Sequence, residues 1–206
     1  DDDDDGSQTC RLRVLTLSAW DASREWFLDL PSGELCVAVA VGSRWIAVVT
    51  DKHFVRLFSL AGFQTGILSI AGTPVTAAGK DDQFAVVYHN GIGAKECQNL
   101  AFDMYRFDGR APKMVSTGTL PVSPKSTLTW AAFGQDYGSF CTADSGATVR
   151  AFSVSNRTWT PVANLRRCGQ IKSRSDHYWM VGVSEKFQQI YAIFCKASTH
   201  PSVLPR

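Results

Sequence analysis

Apolar residues in this chain fall in short alternating runs broken by turn residues, and the runs recur at a fixed offset. Val149-Arg150-Ala151-Phe152-Ser153-Val154, followed by Ser155-Asn156, has a counterpart 47 residues earlier in Phe102-Asp103-Met104-Tyr105-Arg106-Phe107, followed by Asp108-Gly109. A further 47 residues back stands Val55-Arg56-Leu57-Phe58-Ser59-Leu60, followed by Ala61-Gly62. Each copy reads as an aromatic-centred strand that ends at a turn. Leu68, Val115 and Val162 keep the same offset and predict a second repeating strand. A period of this size predicts a β-propeller or another repeat array, with one supersecondary unit per period.

Taken in order, the alternation predicts two strands at Leu12–Leu17 and Glu25–Leu30, with a turn near Asp21-Ala22-Ser23. Three units of four strands follow at residues 35–72, 74–121 and 126–166, and two more strands at Tyr178–Val183 and Gln189–Phe194 occupy residues 175–206. Four strands in such a span is the size of a propeller blade. Residues 1–10 read as an acidic tail or loop, and residues 11–206 as a partial propeller whose first piece, 11–31, holds two strands of a blade. The two end pairs would complete one blade of a four-bladed ring. Rings of six to eight blades, and the avoidance of open strand edges, favour instead a segment of a longer propeller, with blades before Asp1 and after Arg206. No segment carries the sustained spacing of a long amphipathic helix. The expected class is all-β, a propeller of divergent WD-like blades, since regular Gly-His and Trp-Asp pairs are missing from the repeats.

Composition narrows the class without changing it. The 206 residues are 45% apolar, enough for one globular core, and the formal charge of +2 gives no global field toward nucleic acid. Asp1–Asp5 reads as a solvated run. Six cysteines are scattered singly, without zinc-like spacing to the four histidines, and read as reduced thiols of a nuclear or cytosolic protein. Asn156-Arg157-Thr158 is a glycosylation sequon placed where a turn wants Asn. No apolar run approaches the length of a membrane span, so a soluble chain with no membrane partner is expected.

Candidate chemistry is sparse. Most acidic residues fall in turns, where Asp needs no catalytic explanation. Asp176 and His177 are the one adjacent acid and imidazole pair, and neighbours on an extended chain diverge, so a structural hydrogen bond holding the crossover is expected. No catalytic residue, metal ligand or cofactor site emerges. Two stretches are candidate contacts. Asn90, Gly91, Ile92, Gly93 and Lys95 belong to an insertion in the second unit, which reads first as a tolerated surface loop and second as a binding loop. Arg166, Arg167, Lys172 and Arg174 form the basic cluster between the third and fourth units; it reads first as a solvated connection and second as a contact for phosphate or an acidic partner. Two further classes stay open: a hydrolase or lyase with its site in the central channel, and an extracellular binding propeller.

Particular words of the sequence carry a resemblance. Ser18-Ala19-Trp20-Asp21-Ala22-Ser23-Arg24-Glu25-Trp26, Asp29-Leu30-Pro31, Val87-Tyr88-His89, Thr158-Trp159-Thr160-Pro161 and Ser175-Asp176-His177-Tyr178-Trp179-Met180-Val181-Gly182 resemble the SepB domain, the second propeller of the acidic nucleoplasmic DNA-binding protein family. These are also called WD repeat and HMG-box DNA-binding proteins and are the animal counterparts of the yeast chromosome transmission fidelity hub. The resemblance runs from about Arg11 to the end, with Trp20, Asp21, Trp26, Trp159, Asp176, His177, Tyr178 and Trp179 as structural signature residues. It implies a six-bladed propeller followed by a helical bundle, assembled as a homotrimer. It also implies a non-catalytic nuclear scaffold, chromatin-associated, that couples the replicative helicase to DNA polymerase alpha in DNA replication and sister chromatid cohesion. DNA would be bound mainly by other parts of the parent protein.

Overall fold

The alternating runs form strands, described in a computed structural model over residues 9–15, 25–93, 97–173 and 175–202. Strands β1 (Arg11–Val14) and β2 (Trp26–Asp29) make an antiparallel pair. Strands β3 (Cys36–Val41), β4 (Trp45–Thr50), β5 (Phe54–Ser59) and β6 (Gln64–Ser69) form an antiparallel sheet in chain order. The arrangement repeats in β7 (Pro74–Lys80), β8 (Gln83–His89), β9 (Leu100–Arg106) and β10 (Lys113–Leu120). It repeats again in β11 (Leu128–Phe133), β12 (Phe140–Asp144), β13 (Thr148–Ser153) and β14 (Thr158–Asn164). A last pair is β15 (His177–Ser184) and β16 (Gln189–Cys195). Among the described residues the helical element is one 3-10 turn, Leu165–Cys168. The first strands of successive sheets, β3, β7, β11 and β15, lie side by side, which is the inner ring of a β-propeller. The N-terminal acidic run and the predicted turn near Asp21 lie outside the described residues.

The 47-residue repeat has a direct structural meaning. Val55, Phe102 and Val149 are buried, each facing the sheet that follows its own. Phe58, Tyr105 and Phe152 are buried against the sheet that precedes. The companion strand keeps no such register. Leu68 pairs opposite Val55, but Gly118 stands opposite Phe102, and Val115 and Val162 fall at bulges. At Val115 turn length contributes, because residues 107–112 make a longer connection than residues 60–63. The turn at 154–157 is as short as 60–63, and there the register differs because the bulge falls beside Val149 and not beside Phe58.

The second strands explain why the apolar runs lose their alternation. β4, Trp-Ile-Ala-Val-Val-Thr, is buried at every position, because both of its faces meet a neighbouring sheet. Trp45 is fully buried and tilts against Phe84 and Phe107, with ring centroids 5.4 and 6.0 Å away, while its indole N–H donates to the Asp81 carbonyl at 3.1 Å. Two glycines make room for it. A Cβ on Gly42 would sit 2.2 Å from the Trp45 ring, and one on Gly79 would sit 2.7 Å from the Val41 carbonyl, so β3 and β7 approach only without side chains there.

Polar links join the turns of adjoining sheets at the same end. The Ser43 hydroxyl donates to the Asp81 carbonyl at 3.1 Å, and the Lys80 ammonium donates to the Gly134 carbonyl at 2.7 Å. The Glu185 carboxylate accepts from the backbone N–H of Asp136, Ser139 and Tyr137, and Asp136 in return accepts from the Ser184 hydroxyl at 2.6 Å. Burial pushes the Glu185 carboxyl up, and the N–H donors together outweigh it and hold it below its usual value.

Charged residues also recur inside the stack, at Arg56, Asp103 and Arg150. Arg56 donates twice to Glu34, at 2.7 and 2.6 Å, and Arg150 donates to Asp144 at 2.5 Å and to the Ser123 hydroxyl at 2.9 Å. At the middle position the charge is reversed, and buried Asp103 accepts from the Tyr88 hydroxyl at 3.2 Å. Burial first, and then Asp103, pushes the Tyr105 hydroxyl up to about 12. The Arg56 guanidinium holds the Glu34 carboxyl below its usual value against burial. Burial raises Asp144, but donors from Arg150, Ser123 and Thr148 outweigh it and leave a net lowering.

Trp45→Ala should cost about 3–5 kcal/mol, read as a lower urea midpoint, and Gly79→Val should lower it as well. An unchanged midpoint in either variant would remove this interface as the centre of the stack. Both Glu34 and Asp144 have depressed folded-state values, so their contribution is complete above the ordinary carboxylate range near pH ~4 and is lost as pH falls below it. The urea midpoint should hold between neutrality and roughly pH 5, then fall. In a Glu34→Gln/Asp144→Asn variant the neutral midpoint should already be lower and the acid decline shallower.

Candidate functional site

Between the sheet β11–β14 and the pair β15–β16, the chain crosses back from the outer strand to the inner ring and leaves a cleft of about 470 Å³. It opens at the end of the propeller where β11 and β15 begin, opposite the linked turns described above. Local hydrogen bonds hold the crossover. Asn164 caps the 3-10 turn by accepting from Arg166 N–H at 3.0 Å, and Gly169 ends it with φ of 75°. The Asp176 carboxylate then gathers the backbone N–H groups of Ala197, Lys172 and Ser173 at 3.0, 3.1 and 2.9 Å, and these bonds hold it below its usual value.

The signature residues at this end are engaged in hydrogen bonds and ring contacts. The His177 ring Nε2 lies 2.6 Å from the Thr199 carbonyl, and the Tyr178 hydroxyl donates to Gln170 at 3.0 Å. Asp176 and His177 therefore serve the backbone separately and form no acid and imidazole pair. The Tyr178 ring packs on Phe194 with centroids 5.5 Å apart, and Trp179 meets the His200 ring at 5.4 Å. Elsewhere, Trp26 donates its indole N–H to the Leu60 carbonyl at 2.9 Å, and Trp159 donates to Thr119 at 3.1 Å amid Phe102, Phe140 and Phe152. Trp20 and Asp21 lie outside the described residues.

Of the basic cluster, Arg166 lines the cleft and donates to the carbonyls of Gly146 and Ser145 at 3.2 and 3.4 Å. Arg167 and Lys172 are exposed, and Arg174 lies outside the described residues. Asn90, Gly91, Ile92 and Gly93 lie on the connection from β8 to β9, at the same end of the strands as the cleft, and Lys95 lies outside the described residues. The neck of this loop is closed by Asn90 N–H donating to the Asn99 carbonyl at 2.9 Å, and its tip residue Ile92 is 99% exposed. Just past it, Gln98 accepts from Leu128 N–H at 2.7 Å and ties the insertion to the start of β11. The two candidate stretches thus share one face. The insertion stays apart from the cleft lining, which Trp130, Ile171 and Tyr178 complete. Sequence spacing gave no sign of these three as partners, because they come from separate segments.

Among the described residues no group of three or more His, Cys, Asp or Glu side chains converges to hold a metal. The six cysteines are unpaired, and burial pushes the Cys141 thiol up to about 12, where it is inert at neutral pH. No helix among the described residues is long and apolar enough to cross a membrane.

The Asp176 carboxylate should be what fixes the crossover. Asp176→Ala is expected to raise amide hydrogen exchange at Ser173 and Ala197 while exchange in β4 and β8 stays slow. Retained protection at both amides would show that the crossover is held by something else.

Comparison with known proteins places the chain. The family described as the middle region of the minichromosome loss protein Mcl1 matches residues 2–206. WD repeat and HMG-box DNA-binding protein 1 of Xenopus laevis is 38% identical over 197 residues, and the Homo sapiens protein of that name is equally so. The match covers 95% of this chain but only 17% of either relative. In fold, a crystal structure of HIRA superimposes with a TM-score of 0.54 over 76% of this chain and 45% of its own, at 14% identity.

Proposed function

The chain belongs to the family of the middle region of the minichromosome loss protein Mcl1, and from that premise we propose that it is a propeller segment of a non-catalytic scaffold of the replisome. The observation that carries this reading is the 38% identity that runs along 95% of the chain to proteins named for WD repeats and DNA binding. The chemistry of the candidate site agrees with it, since Asp176 and His177, its acid and imidazole, are engaged in holding backbone. A scaffold needs exposed contact surfaces, and the cleft and the neighbouring insertion supply two on one face.

In this reading the parent protein is nuclear and chromatin-associated. It assembles as a homotrimer and couples the replicative helicase to DNA polymerase alpha, with DNA bound mainly outside this chain. The propeller continues beyond both ends toward six blades. Support for that continuation lies in two exposed apolar faces of the kind a further blade covers: Val37, Val39 and Val41 on β3, and Val181, Tyr191 and Ile193 on the last pair.

The full-length protein should give a trimer mass by light scattering, and immobilised helicase should capture DNA polymerase alpha only when that protein is present. A monomer, or equal capture without it, would defeat the coupling role.

A further inference from the structure

We infer that the cleft between β11–β14 and β15–β16 binds an acidic peptide segment carrying a large apolar side chain, an inference that rests on the scaffold reading above. Its size, about 470 Å³, falls within the roughly 300–1,000 Å³ of sites that enclose a compact ligand. Trp130, Ile171 and Tyr178 give it apolar walls, and the last of these is held in place by Phe194 and Gln170. Such walls suit an aromatic or long aliphatic anchor.

The electrostatics set the sign of the partner. Two carboxylates line the cleft, and both are already satisfied: Asp144 by Arg150 and the backbone N–H of Ser123 and Thr148, Asp176 by three backbone N–H groups. The cations are not. Arg166 donates only to neutral carbonyls, and among the described residues neither it nor the exposed Arg167 and Lys172 forms an ion pair. Asp144 is neutralised by Arg150, and the described cations of the crossover outnumber the single negative charge that Asp176 keeps. The net charge at this rim is therefore positive, which attracts and orients an acidic segment while the walls hold its anchor.

Nucleic acid fits less well. The three described cations of the crossover neutralise too few phosphates for strong binding. Stacking of bases on Trp130 or Tyr178 would have to carry the affinity, which the oligonucleotide arm of the test reads. The second cleft, of about 450 Å³ between β7–β10 and β11–β14, lacks this character because its cation, Arg106, is paired with Asp82 at 3.1 Å.

The test is fluorescence anisotropy on the intact protein, with a labelled aspartate-rich peptide containing a central Leu-Phe pair. Binding should weaken with added salt. It should also fall by roughly tenfold or more in Arg167→Glu/Lys172→Glu and separately in Ile171→Ser, with unfolding midpoints unchanged. The same peptide with Ser-Ser in place of Leu-Phe should bind at least about tenfold more weakly. Equal binding of the two peptides, or no loss in the variants, overturns the inference. So does tighter binding of a single-stranded oligonucleotide that is lost in the same variants. If the peptide fails while helicase still captures polymerase, only this inference falls; if capture fails, the scaffold reading falls whatever the peptide does.

Discussion

A four-stranded sheet standing alone buries nothing, so each blade here must have both faces of its central strands covered by its neighbours, and most other features of the chain answer to that demand. β4, β8 and β12 pass through the middle of the stack, which is why β4 and β8 carry unbroken apolar runs and why β12 is buried even at its polar residues Thr142 and Asp144. Each buried Val, Ile or Phe in them is worth about 1.5–3 kcal/mol, and each is available only when the adjoining blade is in place. Stability therefore belongs to interfaces between repeats more than to any repeat, as expected of a repeat architecture.

The close approach has costs that the sequence meets locally. Gly42 and Gly79 yield their side-chain space to Trp45, and Gly62 receives the Trp26 ring 3.1 Å from where its Cβ would be. Charges carried into the stack are paired, and the pair of Arg150 with Asp144 also satisfies Ser123, tying the entry of the blade to its third strand. A buried pair of this kind gives modest net stability but penalises any arrangement that separates its members. Asp103 meets the same demand without a cation, through Tyr88, so the repeated position asks for a satisfied polar group and not for one particular charge.

This explains what could be read from the chain beforehand. The offset between Val55, Phe102 and Val149 was legible because those residues occupy equivalent places between blades, where packing allows little change. The offset of Leu68, Val115 and Val162 was not structural, since the outer strands face solvent and tolerate turns of different length and bulges at different places. Asp136 and Glu185 looked like ordinary turn residues; only the fold brings them together across two blades, 49 residues apart in sequence. The cleft was illegible for the same reason. Its basic cluster stood out as a run, whereas Trp130, Ile171 and Tyr178 are apolar residues that only the crossover path assembles.

That path also separates the roles of the two ends of the propeller. At one end, Ser43, Lys80, Asp136 and Glu185 spend their polar groups linking blade to blade. At the other, Asp176 takes up the backbone donors of the crossover, and the flanking cations remain uncommitted to any carboxylate. Rigidity at the first end and uncompensated charge at the second follow from one arrangement, since a chain that returns from outer to inner strand must be pinned where it turns. A pinned loop presents its remaining side chains without the ordering cost a mobile one would carry, and a scaffold binds through surfaces of that kind.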